Sequence, residues 1–335
     1  MTTMKDVARV VGVNESTVSR ALNNHPYVHP DTRERVLEAA RRLNYRPNTI
    51  ARSLATSRSY VVGLVISNIA NLFFAEVTKG IEEVADANGY SVILCDTARN
   101  VAKELKYLDL LASRQADGII FMSGRLPPDV VAAIKHVKCP VVTISRDGAR
   151  HGIPTVRINN RAEAARATRY LINLGHRRIG FISGQLDDTE SGLPRLEGYR
   201  AALEESGIQF DPGIVQEGDF RMESGMRACV KIMEAQPRPT AIFAANDEMA
   251  IGAMKTLAQQ GLKVPGDVAV VGFDNTAFAT VVTPPLTTVA QPLRMLGTSA
   301  MEMLLKLIAG QNPTDIETVL GCQLVVRGSC GGTGL

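Results

Sequence analysis

The feature that most constrains the fold is a regular alternation of short branched-apolar segments with longer helical segments from Tyr60 onward. One series of apolar segments comprises "YVVGLVI", "YSVILC", "DGIIFM" and "CPVVTIS", and a second comprises "RRIGFISG", "TAIFAAND" and "VAVVGFDN". Helical segments such as "FFAEVTKGIEEVADANG" and "LEGYRAALEESG" separate them. The alternation predicts an α/β fold with doubly wound parallel sheets. Two series predict two lobes, with ligands bound beyond the carboxyl ends of the strands.

The first 46 residues follow a different pattern, that of three short helices sharing one small core. Thr3 is placed to cap a first helix, Gly12 allows a tight turn, and Asn14 is placed to cap a second helix. A third helix, "PDTRERVLEAARRLNY", begins at Pro30. The spacing of apolar residues is that of a helix-turn-helix. The predicted inward residues are Val7, Ala8, Val11, Val18, Ala21, Leu22, Val36, Ala40 and Leu43.

The start of the second helix, "NESTVSR", consists of residues that are mediocre helix formers. Glu15, Ser16 and Thr17 lie where a recognition helix directs its side chains to base edges in the major groove. Short hydroxyl groups approach bases closely, and Arg20 one turn later reaches guanine or phosphate. A surface-exposed cap is the alternative interpretation, since three-helix motifs also pack against proteins.

Basic charge is concentrated in residues 1–59, which contain ten basic and five acidic residues against 37 and 34 in the whole chain. The remaining residues therefore contain 27 basic and 29 acidic side chains. A basic head on a slightly acidic body favours a polyanionic partner for the head, with a merely solvated surface as the alternative. The segment "YRPNTIARSLATSRS" suits a basic linker that becomes helical on a polyanion, with Leu54 as a wedge between base steps.

Composition argues against several protein classes. No apolar run approaches the roughly 20 residues of a membrane helix, and the N-terminus lacks an apolar export segment, so we expect a cytoplasmic protein with no membrane partner. The five scattered cysteines indicate neither a disulfide framework nor a metal site. Neither phosphate-binding glycine motifs nor a Ser/His/Asp pattern indicates an enzyme, and no cofactor is indicated.

Many motifs, in order and correctly spaced, resemble the LacI family of bacterial repressors. The head and hinge motifs are "TMKDVARVVGVNESTVSRALNN", "HPDTRERVLEAARRLNYRPN" and "IARSLATSRSYVVGLVI". The similarity continues through "GHRRIGFISG", "RLEGYRAAL", "RPTAIFAANDEMAIGA", "GLKVPGDVAVVGFDN" and "PPLTTVAQP", most closely to the cytidine, purine and ribose repressor branch. The resemblance implies a homodimer whose paired heads bind a near-palindromic operator in double-stranded DNA. The expected DNA-binding residues are Thr3, Glu15, Ser16, Thr17, Ser19, Arg20, Asn23, Ile50, Arg52 and Leu54.

The resemblance also implies a periplasmic-binding-protein-like body with a small-molecule effector in its cleft. Carboxylates and a guanidinium group bind vicinal hydroxyls in paired hydrogen bonds, and aromatic faces cover a sugar ring or a base. We therefore expect a sugar or a nucleoside as the effector. Ser145 stands where the family often has Asp, and His29 where it often has a Ser cap. The expected effector-binding residues are Phe73, Phe74, Ser145, Arg146, Arg195, Phe220, Asn246 and Asp274.

Other interpretations of these residues stay open at this point. Asn246 is at least equally suited to capping the helix that follows it. Phe73 and Phe74 are each as suited to the core as to the cleft. His176 is expected to be a hydrogen-bonding loop residue, and the run Asp187-Asp188-Thr189-Glu190 a solvated loop rather than a metal site.

The predicted organisation has four parts. Residues 1–46 form the helix-turn-helix head and residues 47–59 the hinge helix or linker. The N-subdomain comprises residues 60–159 and 291–321, and the C-subdomain residues 160–290 and 322–331. The predicted function is a ligand-responsive transcriptional repressor, because an effector that changes the cleft angle changes DNA affinity through differential binding to two states. A solute-binding protein of a transporter, which shares the two-lobed body, is the alternative.

Overall fold

The computed structural model describes residues 2–22, 25–45 and 58–331. The chain divides into a head, residues 1–59, and a body, residues 60–335. Most of the predicted hinge lies outside the described residues. The same holds for four predicted DNA-binding residues, which are Asn23, Ile50, Arg52 and Leu54. Their roles therefore stay predictions.

The head consists of three helices, as predicted: α1 (Met4–Val11), α2 (Glu15–Leu22) and α3 (Pro30–Arg42). Thr3 caps α1, because its Oγ1 accepts the Asp6 amide at 3.3 Å while the Asp6 carboxylate accepts the Thr3 amide at 2.9 Å. The Asp6 carboxylate thereby supplies a partner for the Thr3 amide at the start of the helix. Gly12 ends α1 at φ +73°, a left-handed conformation that glycine adopts without strain.

One valine from each helix fills the centre of the head. Val7, Val18 and Val36 are all fully buried, and small alanines around them let the helices approach closely. The Arg35 guanidinium donates to the Val11 carbonyl at 2.6 Å and so ties α3 to the end of α1. Among the predicted inward residues, Leu22 and Leu43 are only half-buried but still pack against this core.

The first part of the body alternates strands and helices. In chain order it contains β1 (Val61–Ile66), α4 (Leu72–Ala87), β2 (Ser91–Asp96), α5 (Val101–Ser113), β3 (Gly118–Met122), α6 (Pro128–His136), β4 (Val141–Ile144) and β5 (Thr155–Ile158). Strands β3 and β4 are buried along their whole length, as expected for strands covered by helices on both faces.

The second part repeats the alternation and then returns to both lobes. It contains α7 (Asn160–Asn173), β6 (Ile179–Ser183), α8 (Gly192–Glu205), β7 (Val215–Glu217), α9 (Met222–Glu234), β8 (Ala241–Ala244), α10 (Asp247–Gln259), β9 (Ala269–Asp274), α11 (Phe278–Val281), β10 (Thr287–Ala290), α12 (Leu293–Ile308), β11 (Glu317–Leu320) and β12 (Gln323–Val325).

The strands form two six-stranded sheets, one in each lobe. The first has the order β11-β5-β4-β3-β1-β2 and the second β12-β10-β9-β8-β6-β7. All neighbours are parallel except β10 and β12. The chain passes between the lobes after β5, after β10 and after β11, where the proposed subdomain boundaries also lie. Helix α12 returns to the first lobe and packs against α4 so closely that a Cβ on Gly297 would lie 2.1 Å from the Val77 carbonyl oxygen.

A pair of valine substitutions in α1 tests the head core. Val7 is fully buried and Val10 is 47% exposed, so the same truncation removes core packing at one site and surface area at the other. We expect Val7→Ala to destabilise the head by about 2 kcal/mol and Val10→Ala to have little effect. Hydrogen exchange of head amides in the full chain measures this difference, and equal exchange in the two variants would contradict the described core.

Candidate functional site

The carboxyl ends of the strands in the two lobes border a cleft that is open to solvent, which we name the inner chamber. Its lining contains all eight predicted effector residues. The sequence analysis did not single out the other seven for this role. They are Asn71, Arg99, Met122, Asn160, Asp188, Ser191 and Gln291.

Arg195 forms the floor of the inner chamber from the first turn of α8. Its Nε donates to Asn160 Oδ1 at 2.9 Å and its Nη1 donates to the Ala245 carbonyl. The same Nη1 lies 3.8 Å from Asp274 Oδ1, and the guanidinium carbon lies 3.7 Å from the Phe273 ring centroid. Only 5% of Arg195 is exposed, and a buried cation is tolerated because such partners replace water.

Asp274 lies beside this guanidinium at the end of β9, with φ +116°. Gln291 donates to its Oδ1 at 2.6 Å. Burial raises the pKa of the Asp274 carboxyl, the Arg195 charge opposes that rise, and the neighbouring Asp247 and Glu248 add to it. The floor of the chamber thus presents a guanidinium and a carboxyl group side by side.

Asn246 combines the two roles that the sequence left open, since it caps a helix and also lines the chamber. Its Oδ1 accepts the Met249 amide at 3.0 Å at the start of α10, and its Nδ2 donates to the Phe220 carbonyl at 3.0 Å. Phe220 has φ +66°, and its ring lies over Gly184, where a Cβ would lie 2.1 Å from the ring. Asn246 therefore holds an aromatic wall of the chamber in place.

The opposite wall comes from the start of α4. Asn71 Oδ1 accepts the Phe73 amide at 2.8 Å and caps this helix. The rings of Phe73 and Phe74 pack edge to face with centroids 5.2 Å apart. Phe74 is 8% exposed and packs in the core as well, so the core and the cleft interpretations both apply to it.

Ser145 and Arg146 follow β4 and line the chamber from the first lobe. The backbone of Ser145 has φ +53°, and its Oγ is buried without a hydrogen-bond partner. Among the described residues, it is the one buried unpartnered side-chain oxygen that lines this chamber. Since a buried hydroxyl without a partner is costly, Ser145 Oγ is a ready contact for a bound ligand.

Three arginines of the first lobe reach one loop of the second lobe, residues 185–190, which we name the clasp loop. They follow β2, β3 and β4 respectively. The pairs are Arg99 with Gln185, Arg125 with Asp187 at 3.4 Å, and Arg146 with Asp188 at 3.9 Å. The clasp loop therefore joins the lobes along one side of the cleft.

The expectation of a wholly solvated loop at 187–190 was wrong for Asp188. This residue is 7% exposed, and its Oδ1 accepts the Glu190 and Ser191 amides at 3.0 Å each. These bonds fold the loop back into α8 and turn the carboxylate toward Arg146. Asp187, in contrast, is exposed as expected. The chamber thereby has a second carboxylate, although Ser145 occupies the position where the family often has Asp.

Three of the missed polar residues, Asn160, Asp188 and Gln291, lie at chain positions that the sequence did mark in part. Asn160 follows β5 and donates to the Glu190 carbonyl at 2.7 Å, and Gln291 lies one residue before the end of the quoted segment "PPLTTVAQP". Proximity to strand ends was the available signal in the sequence. Only the packing shows that Asn160 bonds to Arg195, Asp188 pairs with Arg146, and Gln291 donates to Asp274. His176, expected to be a loop hydrogen-bonder, pairs with Thr240 Oγ1 at 2.9 Å.

In the head, the predicted recognition residues lie on the outer side of α2. Glu15, Ser16 and Arg20 are exposed, while Thr17 and Ser19 are half-buried. Thr3 is exposed as well, although its hydroxyl belongs to the cap of α1. The start of α2 is thus open to a partner, as a recognition helix requires.

In the described part of the chain, no helix combines the length and apolar character needed to cross a bilayer. Within the same residues, no group of three or more His, Cys, Asp or Glu side chains is arranged to hold a metal ion.

Comparison with known proteins agrees with this architecture. Residues 3–48 match the lacI family of bacterial regulatory proteins, and residues 168–330 match a periplasmic binding protein-like domain. Catabolite control protein A of Priestia megaterium is 41% identical over 304 residues, covering 91% of this chain and 92% of the relative. The chain belongs to the LacI family. It is a ligand-responsive, DNA-binding transcriptional regulator with the predicted fold.

Other LacI-family members share nearly the whole length. The transcriptional repressor CytR of Escherichia coli K12 is 38% identical over 98% of this chain and 96% of its own. The lac repressor dimer bound to operator superposes with a TM-score of 0.89 at 30% identity, covering 98% of this chain and 99% of that one. The transcriptional regulator CelR in complex with cellobiose superposes with a TM-score of 0.74 at 32% identity, covering 98% of this chain and 100% of that one. These relatives are regulators rather than enzymes.

The buried Asp274 carboxyl makes a prediction about pH. Burial raises the pKa of the Asp274 carboxyl in the folded protein above its unfolded value of about 4. The contribution of this group to stability is therefore greatest below the unfolded pKa and is lost as the pH rises through the folded pKa. Asp274→Asn carries no charge, so the melting temperature of this variant relative to the native protein should increase from pH 5 to pH 8. Asp109→Asn, at an exposed position on α5, serves as the control. If the melting temperature relative to the native protein did not change with pH for either substitution, the raised pKa of Asp274 would be contradicted.

Proposed function

We propose that this LacI-family regulator is a repressor that binds a near-palindromic operator as a homodimer in the cytoplasm, and that a sugar or nucleoside in the inner chamber sets its operator affinity. The observation that carries the proposal is the joint presence, in one chain, of an exposed recognition helix and a cleft with paired polar groups between aromatic walls. The relatives named above include a repressor, a dimer on its operator and a cellobiose complex, which supports each part of the proposal.

The head supplies both parts of DNA recognition. Ser16 and Thr17 at the start of α2 contact base edges, while arginines of the basic head neutralise phosphates. Arg20 lies one turn further along the same exposed surface. Phosphate contacts dominate affinity, so binding falls steeply with salt concentration.

The inner chamber supplies effector recognition. The Arg195 guanidinium and Asp274 carboxyl bind adjacent hydroxyls, since one donates and the other accepts. Ser145 Oγ, which has no hydrogen-bond partner within the protein, bonds to a hydroxyl of the effector. Phe74 and Phe220 cover the faces of the ring from opposite lobes. This set favours a neutral hydroxylated ring.

The coupling between effector and DNA uses the two-lobed body. The floor residues Arg195, Asp274 and Asn246 are bonded within the second lobe, whereas Ser145 and Phe74 belong to the first. A ligand that contacts both lobes changes the population of cleft angles by its differential affinity for them. Couplings of this kind amount to about 1–3 kcal/mol.

Two other functions fit the observations less well. A solute-binding protein of a transporter shares the two-lobed body, but it has no use for a basic three-helix head. Catalysis is not part of the proposal, because the groups of the chamber bind hydroxyls and bond to one another.

Changes at the start of α2 test DNA recognition. Selection of bound duplexes from a random pool with the full-length protein defines the preferred operator. Ser16→Ala should change the preferred base at one position in each half-site, and Arg20→Ala should weaken binding. If Arg20 contacts guanine, we expect Arg20→Ala to lose ~1–3 kcal/mol of binding free energy and to relax specificity at that base pair. If Arg20 contacts phosphate, affinity should fall equally for all sequences, and the slope of log affinity against log salt concentration should be lower by about 1.

The matched control for charge is Lys138→Ala, which removes one cation from the body. It should leave both operator choice and affinity unchanged. Unaltered sequence preference in Ser16→Ala together with unaltered affinity in Arg20→Ala would exclude α2 as the recognition helix.

A glycine substitution tests the aromatic wall of the chamber. A Cβ at Gly184 would lie 2.1 Å from the Phe220 ring, whereas a Cβ at Gly266 in the same lobe meets only ordinary contacts. In thermal-shift screening with sugars, nucleosides and bases, Gly184→Ala should lose the response of the native protein and Gly266→Ala should keep it. A ligand response that survives in both variants would place the effector elsewhere.

A further inference from the structure

A carboxyl group that the proposed function does not use is buried at the carboxyl end of the first sheet. Glu104 lies in the first turn of α5, and none of its surface is exposed. Ser123 Oγ donates to its Oε1 at 2.8 Å, whereas its Oε2 is buried without a hydrogen-bond partner. Gly124 leaves the space that this carboxyl group fills, because a Cβ there would lie 2.2 Å from Glu104 Oε1. An environment with so few partners favours the neutral form of the group.

The charges that face Glu104 come from three other segments of the first lobe. They are Arg146 after β4, Arg125 after β3 and Asp129 in the first turn of α6. Burial raises the pKa of the Glu104 carboxyl above its ordinary value, and the Ser123 hydrogen bond and the Arg146 charge oppose that rise. Asp129 and Arg125 have smaller effects of opposite sign. The protonation of Glu104 therefore depends, among these charges, most on Arg146.

Arg146 connects this buried carboxyl group to the other lobe. Its Nε donates to the Ser123 carbonyl at 3.4 Å, so Arg146 and Glu104 contact the same residue. Its Nη1 donates to the Ser145 carbonyl at 2.8 Å and lies 3.9 Å from Asp188 Oδ1 in the clasp loop. That separation is well beyond the ~2.8 Å of a direct charge-assisted hydrogen bond, so Asp188 neutralises the buried guanidinium only in part.

Three hydroxyl groups lead from Glu104 toward the cleft. Ser123 Oγ lies 2.5 Å from Thr97 Oγ1 and 3.4 Å from Ser67 Oγ, and Ser67 belongs to the lining of the cleft. Hydroxyl groups both donate and accept hydrogen bonds, so this row reorients when Glu104 changes from a donor to an acceptor. The buried carboxyl group thus has a polar connection to the edge of the first lobe.

We propose that Asp188 and Glu104 compete for Arg146, so that separation of the clasp loop from the first lobe is coupled to release of a proton from Glu104. While the lobes are joined, Asp188 pairs with Arg146 and Glu104 stays neutral. When the clasp loop moves away, the O–H bond of Glu104 breaks, the proton passes to solvent water, and the new carboxylate compensates the buried guanidinium. The joined state therefore binds more protons, and rising pH favours separation. This coupling acts without an effector and adds pH to the signals that set the cleft angle.

A tryptophan introduced into the clasp loop makes the separation measurable, since the chain contains no tryptophan. Leu186 is 40% exposed and lies between Gln185 and Asp187, which both contact the first lobe. In full-length Leu186→Trp, quenching by the uncharged reagent acrylamide measures how open the loop is. The quenching constant should rise from about pH 5 to about pH 8, and the equilibrium constant for separation should grow about tenfold for each pH unit between the pKa values of Glu104 in the two states.

Further substitutions in the Leu186→Trp background assign the response to Glu104. Glu104→Gln keeps the shape of the neutral carboxyl group but has no proton to release, so it should remove the rise that Glu104 causes. Glu302→Gln, at an exposed position on α12, is the matched control and should leave the rise unchanged. Glu190 and His151, titratable groups beside the loop, are present in both variants, so only the part of the rise that is lost in Glu104→Gln bears on the proposal.

Asp188→Asn tests the competition from the other lobe. Without the Asp188 carboxylate, the joined and separated states no longer differ in proton binding by Glu104, so quenching should be high already at acidic pH and should change with pH no more than in Glu104→Gln. Circular dichroism establishes that each variant folds, and if Glu104→Gln does not fold, Asp188→Asn decides the question.

Three results would overturn the proposal: quenching in Leu186→Trp that does not change with pH, a rise that persists in full in Glu104→Gln, or a full rise in Asp188→Asn. None of these measurements involves effector or operator binding, so such a failure leaves the proposed function intact.

Discussion

The inner chamber depends on one buried cation. The Arg195 guanidinium on α8 is held by a carbonyl, an amide, a carboxyl group and an aromatic face, and these partners lie at or next to the ends of three other elements of the second lobe, which are α7, β8 and β9. Removing one of these partners weakens the compensation of a buried charge, which costs more than losing a surface pair. The floor is therefore rigid before any ligand arrives.

The contacts at the sides of the cleft are weaker than those of its rigid floor. Contacts between the lobes at the clasp loop range from the buried pair Arg146–Asp188 to the exposed pair Arg125–Asp187. Exposed pairs of this kind contribute ~0–1 kcal/mol. A rigid floor with weaker contacts at the rim lets the lobes change their angle without disturbing the polar groups that recognise the ligand. Such a division of roles is what a switch between two states requires.

The same residues often serve packing and recognition together. Asn246 caps α10 and holds Phe220 by its backbone, and Phe74 belongs to the hydrophobic core while covering the chamber. Such residues have a structural and a functional role at the same time. The Asn246 amide bonds through both its oxygen and its nitrogen, and the Phe74 ring has one side in the core and another toward the chamber. Asp188 shows the opposite case, in which a polar run expected to be solvated places one of its carboxylates inside the cleft.

The sequence by itself determined the three-helix head, the two α/β lobes and the family. These follow from local spacing: one valine per helix in the head, a left-handed glycine after α1, and alternating apolar and helical segments in the body. It also marked all eight predicted effector residues that line the chamber. Four of them, Ser145, Arg146, Asn246 and Asp274, follow or end strands, and the carboxyl ends of parallel strands meet at one edge of a sheet. The other four came from the family resemblance. Only the tertiary structure decided the partners of those residues, the position of Asp188 and the clasp loop. Each of these arises from side chains on segments far apart in the chain, whose contacts depend on how the two sheets face each other rather than on any local pattern.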